Sequence, residues 1–93
     1  MRDLSLAGTI NIIAVLPERL SDGALVNAVA TITEAKVQAL FEAGIRGTGT
    51  ATDAVCVVCP EDGRPHDFGG PRSRWGSRLA RATHAAVLDG ARS

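Results

Sequence analysis

Two runs of apolar, mostly β-branched residues constrain the fold of this chain more than any other feature. The first run, residues 9–16, lies between Gly8 and Pro17, and the second, residues 54–59, ends at Pro60. Nearly continuous apolar runs of this length are typical of strands buried on both faces, as in a parallel sheet. We therefore predict one strand in each run, with both strands in the core.

A long helix is predicted between these strands. Ser21 offers an N-cap, and Gly44 offers the turn that ends a helix. The intervening segment, Ala24 to Ala43, has a strongly helical composition. Its core-facing apolar stripe is expected to comprise Val26, Val29, Thr33, Val37, Leu40 and Phe41. Strand, helix and strand in this order predict a right-handed βαβ unit.

A second helix is predicted from Pro71 to Leu88, after a loop rich in glycine and proline. The fold class is therefore α/β, with a β-α-β-α order. A two-stranded sheet is marginal in water, and its open edges invite pairing with another chain. We expect residues 1–93 to form a single partial domain, half of a larger sheet-based one. Either a second copy, in a homo-oligomer, or a complementary N-terminal half would complete it.

Composition narrows the possible partners. The net charge is zero, but residues from Arg64 onward carry six basic and two acidic side chains. This asymmetry allows an anionic ligand or an acidic partner, although a solvated helix face is equally compatible with it. Only three residues are aromatic, which argues against base stacking and hence against nucleic acid. No apolar stretch is long enough to span a membrane, so we expect a cytoplasmic protein.

The loop GTGTATD, residues 47–53, is the first candidate site. Glycine lets a backbone approach a ligand closely, threonine hydroxyls donate and accept hydrogen bonds, and Asp53 can act as a base or an acceptor. The candidate residues are Thr48, Gly49, Thr50, Thr52 and Asp53. A turn that satisfies its own backbone is the alternative, and composition leaves both open.

Polar residues in the first helix form a second candidate. Thr33, Glu34 and Lys36 interrupt an otherwise apolar segment. There are two explanations. The threonine hydroxyl bonds back to the preceding turn of the helix, or the hydroxyl, carboxylate and ammonium groups face a ligand together with the loop. Because Glu34 and Lys36 are two residues apart, they point to different sides of the helix, and at most one lines a given cleft.

Two further patterns involve the last part of the chain. Arg72 and Ser73 follow two glycines at a predicted helix N-terminus, which favours a carboxylate or phosphate ligand. Cys56 and Cys59 have the C-x-x-C spacing, but residues three apart in a strand point to opposite faces. We therefore expect buried structural cysteines and no metal centre.

Four segments carry a resemblance to a known family: GTINII (residues 8–13), LSDGALV (20–26), TEAK (33–36) and GTGTATDAV (47–55). In order and spacing they resemble the C-terminal half of adenosylcobinamide amidohydrolases. The Gly70–Pro71 helix start is similar as well, with Ser73 where the family usually has threonine. The resemblance implies hydrolysis of the amide that joins aminopropanol to the corrin ring of adenosylcobinamide, in corrinoid salvage. The corrinoid is then the substrate, and no separate cofactor is implied.

The resemblance assigns no nucleophile, so roles follow from the chemistry of amide hydrolysis. Asp53 or Glu34 is expected to act as base for a water or a threonine hydroxyl, with Thr33 nearby. Lys36 and backbone N–H groups of the loop are expected to hold the oxyanion. Two other hypotheses remain open, namely a non-catalytic module that pairs through its open sheet edge and a small anion-binding module.

Overall fold

The computed structural model describes residues 2–3, 9–50 and 52–92. Six elements follow one another along the chain: β1 Arg2–Asp3, β2 Asn11–Val15, α1 Asp22–Glu42, β3 Ile45–Arg46, β4 Ala54–Val58 and α2 Arg74–Arg92. The α/β class and the β-α-β-α order of the long elements are confirmed. Gly8 and Ala51, which the predicted strand boundary and loop include, lie outside the described residues.

Both strand pairs are parallel and share one register. Arg2 pairs with Ile45 in β1 and β3, and Asn11 pairs with Ala54 in β2 and β4. Ile10 and Asp53, which lie between the two strand pairs, are also 43 residues apart, and the backbone N–H of Ile10 donates to the Asp53 carboxylate. The loop of residues 47–53 therefore lies between β3 and β4, the two strands that pair with the first part of the chain.

Helix α1 begins two residues earlier than predicted. The side chain of Ser21 accepts a hydrogen bond from the backbone N–H of Ala24 at 3.2 Å, which makes it the N-cap, and Asp22 lies in the first turn. At the other end Gly44 adopts a φ of 77°, a conformation that glycine reaches without strain. The predicted cap and stop signals therefore both operate, and the helix ends at Glu42, one residue earlier than predicted.

The predicted core stripe of α1 is confirmed at Leu40 and is wrong at Val26, Val29, Thr33 and Phe41. Half of the buried residues of α1 are alanines, and the full set is Ala24, Ala28, Thr31, Ile32, Ala35, Lys36, Ala39 and Leu40. Val26 is 72% exposed and Phe41 is 78% exposed. Alanine lets α2 and the neighbouring loop approach closely, and this packing decides the buried face. Gly69 shows how close the loop comes, because a Cβ there would overlap the carbonyl oxygen of Ala24.

Helix α2 begins at Arg74 and not at Pro71. Ser73 caps it, since its Oγ accepts from the N–H of Gly76 at 3.0 Å and donates to the carbonyl of Gly70 at 2.7 Å. The helix also continues through Arg92, past the predicted stop at Asp89. A single glycine inside a helix costs only about 1 kcal/mol relative to alanine, so Gly90 does not end it.

The sheet is covered on one face only. Two residues of β2 and two of β4 pack against a core formed by α1, by two leucines between β2 and α1, and by one leucine of α2. The strand residues are Ile12, Ala14, Val55 and Val57. The opposite face carries Ile13, Val15, Cys56 and Val58, of which Ile13 and Val15 are 73% and 74% exposed. Within the described residues, burial on both faces is therefore not observed, because both helices lie on the same side. Neither helix is long and apolar enough to cross a membrane.

Candidate functional site

Asp53 is the centre of the candidate site. It lies directly before β4, and its carboxylate accepts hydrogen bonds from the backbone N–H groups of Ile10 at 2.8 Å and Thr50 at 2.9 Å. The hydroxyl of Thr50 also donates to it, and the Lys36 ammonium lies 3.2 Å from its Oδ2 atom. Four donors from three segments of the chain therefore converge on one carboxylate.

These donors determine the charge state of Asp53. Burial of the carboxylate raises its pKa, but the hydrogen bonds from the Thr50 hydroxyl, from the N–H groups of Ile10 and Thr50, and from Lys36 lower it by more. The net result is a pKa well below the usual range of an aspartate. Asp53 is therefore ionised at neutral pH, and a carboxylate with so low a pKa is a weak proton acceptor.

Lys36 is a buried cation held by this carboxylate. The residue is 7% exposed and lies in the C-terminal half of α1, where its ammonium pairs with Asp53. An ammonium group has three N–H donors, so one contact with Asp53 leaves donors for another acceptor. A positive charge with spare donors at the edge of the core is suited to stabilise a developing oxyanion.

Gly49 brings the loop backbone against this ion pair. Its φ is 152°, and a Cβ at this position would overlap the Asp53 carboxylate and lie 2.8 Å from the Lys36 nitrogen. Only glycine satisfies both conditions. The glycine of the loop therefore has a defined role, which is to let the backbone approach the Asp53–Lys36 pair.

The loop threonines differ in exposure. Thr50 is half-buried and bound to Asp53, whereas Thr48 and Thr52 are exposed. The hydroxyl of Thr52 makes a short contact with that of Thr9, just before β2. Thr9 is a polar residue of the site that sequence reasoning missed. The shared register of 43 residues would have placed it opposite Thr52.

Thr33 and Glu34 are not brought to Asp53 by any contact among the described residues. Thr33 is exposed and its hydroxyl donates to the carbonyl of Val29 at 2.8 Å, which is the back-bonding alternative. Glu34 is exposed on the same helix. Their catalytic roles therefore stay predictions. The threonine of this helix with a tertiary contact is Thr31, which donates to the carbonyl of Gly69 at 2.8 Å.

Arg72 and Ser73 belong to a different region, beside the N-terminal half of α1. They line a shallow cavity of about 480 Å³ together with Asn27 and Phe68. The Ser73 hydroxyl is engaged as the cap of α2, and Arg72 is exposed. The structure therefore separates these two residues from the Asp53 cluster, which contacts the C-terminal half of α1.

A second polar cluster lies beyond the carboxyl ends of β2 and β4. Glu18 accepts a hydrogen bond from the indole N–H of Trp75 at 3.1 Å and lies 3.4 Å from His66 and 4.0 Å from Arg74. The Arg78 guanidinium stacks over the Trp75 ring at 4.7 Å. Sequence reasoning missed Glu18, although a carboxylate just after a parallel strand is where α/β folds commonly place polar sites.

The cysteine prediction is wrong for Cys56. Cys56 is exposed on the open face of the sheet, whereas Cys59 is half-buried and packs against the core. Among the described residues, no group of three or more histidine, cysteine, aspartate or glutamate side chains is arranged to hold a metal ion.

A family profile and similar individual proteins point to the same family. The profile of the family described as adenosylcobinamide amidohydrolase matches residues 3–93. Two similar proteins carry that name. The one from Methanosarcina mazei is 39% identical over 93 residues, covering 90% of this chain and 46% of that protein. The one from Halobacterium salinarum is 37% identical over 87 residues, covering 92% of this chain and 35% of that protein.

An uncharacterized protein from Methanocaldococcus jannaschii is also similar, at 38% identity over 90 residues, covering 88% of this chain and 35% of that protein. The chain thus spans between about a third and a half of the length of these relatives. No solved structure matches significantly.

Proposed function

Because this chain belongs to the adenosylcobinamide amidohydrolase family, we propose that it supplies part of the active site of an enzyme that hydrolyses adenosylcobinamide. Water adds to the amide carbonyl and the C–N bond breaks. The products are adenosylcobyric acid and aminopropanol, whose nitrogen takes up a proton. The observation that carries the proposal is the Asp53–Lys36 pair held against the backbone of Gly49. The proposal includes a role for this reaction in corrinoid salvage in the cytoplasm, and membership of the family supports that role.

In this proposal Lys36 stabilises the tetrahedral intermediate. Its ammonium has donors that Asp53 does not use, and Gly49 leaves the pair without a covering side chain. Preorganised donors of this kind are worth about 10²–10³ in turnover when one is removed. The exposed hydroxyls of Thr48 and Thr52 bind polar groups of the substrate beside it.

Asp53 acts as a positioning residue and not as the general base. Its carboxylate is occupied by four donors and its pKa is lowered, so it does not compete for a proton at neutral pH. The base that activates water must then be another group. Glu34 is one candidate within this chain, and a residue of the polypeptide that completes the domain is the other.

The experiment that tests the proposal is an amidase assay with adenosylcobinamide, in which release of adenosylcobyric acid is followed by chromatography. It is run on the 93-residue chain alone and together with the part of the Methanosarcina mazei relative that this chain does not match. Turnover in either sample supports the proposal. A folded chain that forms the complex and remains inactive would contradict it.

The role of Lys36 is tested in whichever of the two samples hydrolyses adenosylcobinamide. Lys36→Met should lower kcat by about 10²–10³ with little change in KM, as expected for a group that acts on the transition state. Arg46→Met is the matched control, because Arg46 is an exposed cation on β3. Melting curves establish that both variants fold. Equal kcat values for the two variants would remove Lys36 from the mechanism.

One observation favours a second function. The open sheet face carries four exposed or partly exposed apolar and thiol side chains, as described for Ile13, Val15, Cys56 and Val58. Surfaces of this kind mark protein–protein contacts. If the complex forms without turnover, the chain is an interaction module and not a catalytic one.

A further inference from the structure

The helix layer of this fold is wider than its sheet. Two helices packed side by side have axes about 8–10 Å apart and together cover about 16–20 Å. A two-stranded sheet is only about 10 Å wide, because neighbouring strands are about 4.8 Å apart. Helices α1 and α2 contact each other along one face of the two strands β2 and β4. The helix layer therefore overhangs the sheet by about 6–10 Å, which is the width of one to two strands.

The overhang lies beside β2. A groove of about 550 Å³ is bounded by residues 9–13 on one side and by the C-terminal half of α2 on the other. Thr83, Ala86 and Val87 form the α2 wall, and Leu40 and Ile45 form the floor. We call this cavity the β2 groove. Among the described residues that line the groove, none carries a charged side chain.

The edge of β2 that borders the groove has unused hydrogen-bonding groups. The carbonyl of Ile10 accepts from Ala54 at 3.2 Å, and the N–H of Leu16 donates to Val58 at 2.8 Å. Even-numbered residues of β2 therefore point their backbone groups toward β4. In a parallel ladder the alternate residues point the other way. Asn11, Ile13 and Val15 thus present three N–H groups and three carbonyls along this edge of β2, with no partner among the described residues. Of these three, Asn11 and Ile13 line the groove.

We propose that the β2 groove seats a third strand, which is an uncharged extended segment from the part of the longer relatives that this chain does not match. The backbone groups of β2 would form the ladder, and the apolar walls would bury the side chains. The charge-free lining selects an uncharged segment, because a charged one would lose its hydration without a partner. Each relative is more than twice as long as its match to this chain, so it has polypeptide to supply the strand.

A second copy of this chain does not fit the groove in the same way. A symmetric pairing of two β2 edges would place the strands about 4.8 Å apart, with both helix layers on the same side of the sheet. Helix α2 of each copy would then enter the space occupied by the helices of the other. A pairing of β2 with β4 of another copy would leave a further groove open and would not close. The overhanging helix therefore favours a strand whose own helices lie on the opposite face.

The test is co-expression of the tagged 93-residue chain with the unmatched part of the Methanosarcina mazei relative. Size-exclusion chromatography with light scattering gives the stoichiometry, and amide hydrogen exchange resolves individual residues. We expect a one-to-one complex in which exchange at Asn11, Ile13 and Val15 slows at least tenfold. A homodimer of this chain that protects the same amides would overturn the proposal, and so would the absence of a complex.

Two neighbouring alanines of α2 provide a blocking variant and its matched control. Ala86 lines the groove and Ala85 does not, and both are exposed. Ala86→Arg fills the groove with a long charged side chain and should abolish the complex, whereas Ala85→Arg should leave it intact. Circular dichroism establishes that both variants fold. A complex that survives Ala86→Arg with its β2 protection would also overturn the proposal.

This proposal concerns assembly, and both complex formation and amide exchange are measured without substrate. A protected complex that lacks amidase activity would contradict the proposed function alone.

Discussion

Asp53 shows how strongly the surroundings of one residue decide its chemistry. An aspartate in a threonine-rich loop is compatible with a general base, and the sequence favours that role. The fold instead surrounds the carboxylate with the N–H groups of Ile10 and Thr50, the Thr50 hydroxyl and the Lys36 ammonium. A carboxylate that accepts several hydrogen bonds and an ion pair is stabilised in its ionised form. Its contribution is therefore to hold the loop and the lysine in place.

Replacement of Asp53 by asparagine should destabilise the chain. The amide retains one acceptor oxygen but turns an NH₂ group toward donors, so charged hydrogen bonds are lost. We expect the free energy of unfolding at pH 7 to fall by about 2 kcal/mol, measured by urea denaturation. Asp62→Asn is the control, because Asp62 is exposed in the loop after β4. Equal unfolding free energies for the two variants would contradict the structural role of Asp53.

The effect of Asp53 should also depend on pH in a defined direction. Its pKa in the folded chain is below the ordinary value of 3.8, so ionisation favours the folded state. The stabilisation is fully present above that ordinary value and is lost as the pH falls toward the folded-state pKa. We expect the stability difference between the natural chain and Asp53→Asn to be constant from pH 5 to 8 and to shrink below about pH 4. A difference that grows on acidification would contradict this assignment.

Gly49 and Gly47 allow backbone strain to be separated from steric overlap. Both have positive φ angles, but a Cβ at Gly47 would enter open space, whereas one at Gly49 would overlap Asp53. Gly47→Ala should cost about 1 kcal/mol from strain alone. Gly49→Ala should cost about 3 kcal/mol, because the ion pair must also move. Thermal unfolding of both variants measures the difference, and equal costs would mean that the loop does not pack against the pair.

At the scale of elements, α1 illustrates a limit of hydrophobic patterning. The stripe predicted from its valines and Phe41 suggests one core face, but the buried face carries four alanines beside Ile32 and Leu40. Close packing of the loop at Gly69 and of α2 requires small side chains, and it outweighs the larger transfer free energy of valine and phenylalanine. Val26 and Phe41 are left exposed. The strands and helix caps, which depend on local signals, follow the sequence much more closely.

The two threonines of α1 should differ in their contributions to stability. Thr31 is 2% exposed and donates to the carbonyl of Gly69, whereas Thr33 is exposed and bonds only within its own helix. Thr31→Val should lower the free energy of unfolding by about 2 kcal/mol, since it leaves a buried carbonyl without its donor. Thr33→Val makes the same replacement of a hydroxyl by a methyl group, and it should change the free energy of unfolding by no more than about 0.5 kcal/mol. Chemical denaturation of both variants measures this, and a larger loss for Thr33→Val would contradict the assigned faces.

For the whole molecule, the consequence of this topology is a one-sided sheet. Among the described residues, both helices pack on the same face of β2 and β4, and none covers the other face. A two-stranded sheet with one covered face is marginal on its own. The open face and the β2 groove are adjacent, so one partner could cover the face and extend the sheet. The Asp53 loop lies at the start of the same strands, which links completion of the sheet to the candidate site.

The two cysteines report on this open face. Cys56 is exposed on it, while Cys59 is half-buried against the core. In the isolated chain Cys56 should react with iodoacetamide on the order of tenfold faster than Cys59, as mass spectrometry of the peptides would show. Cys59→Ser gives the rate of Cys56 alone. Comparable rates for the two thiols would contradict a one-sided sheet, and selective loss of Cys56 labelling in the complex would show that the partner covers this face.

The sequence by itself determined the α/β class, the order of the long elements and the family. These depend on local signals, namely β-branched runs, the Ser21 cap, the glycine stop and a spacing of motifs along the chain. It also identified the loop of residues 47–53 and Lys36 as polar positions that call for an explanation. Each of these features can be read from short segments and from their order along the chain, so no tertiary information is needed to detect it.

Only the tertiary structure decided which of these polar residues meet. The contact of Lys36 with Asp53, the approach of Gly49 and the pairing of Thr9 with Thr52 join segments that are far apart in the chain or that belong to different elements. The exposed faces of α1 and of the sheet depend in turn on which side the helices pack. Burial and electrostatics arise from the sum of such distant contacts, and a periodicity along the chain does not contain that sum.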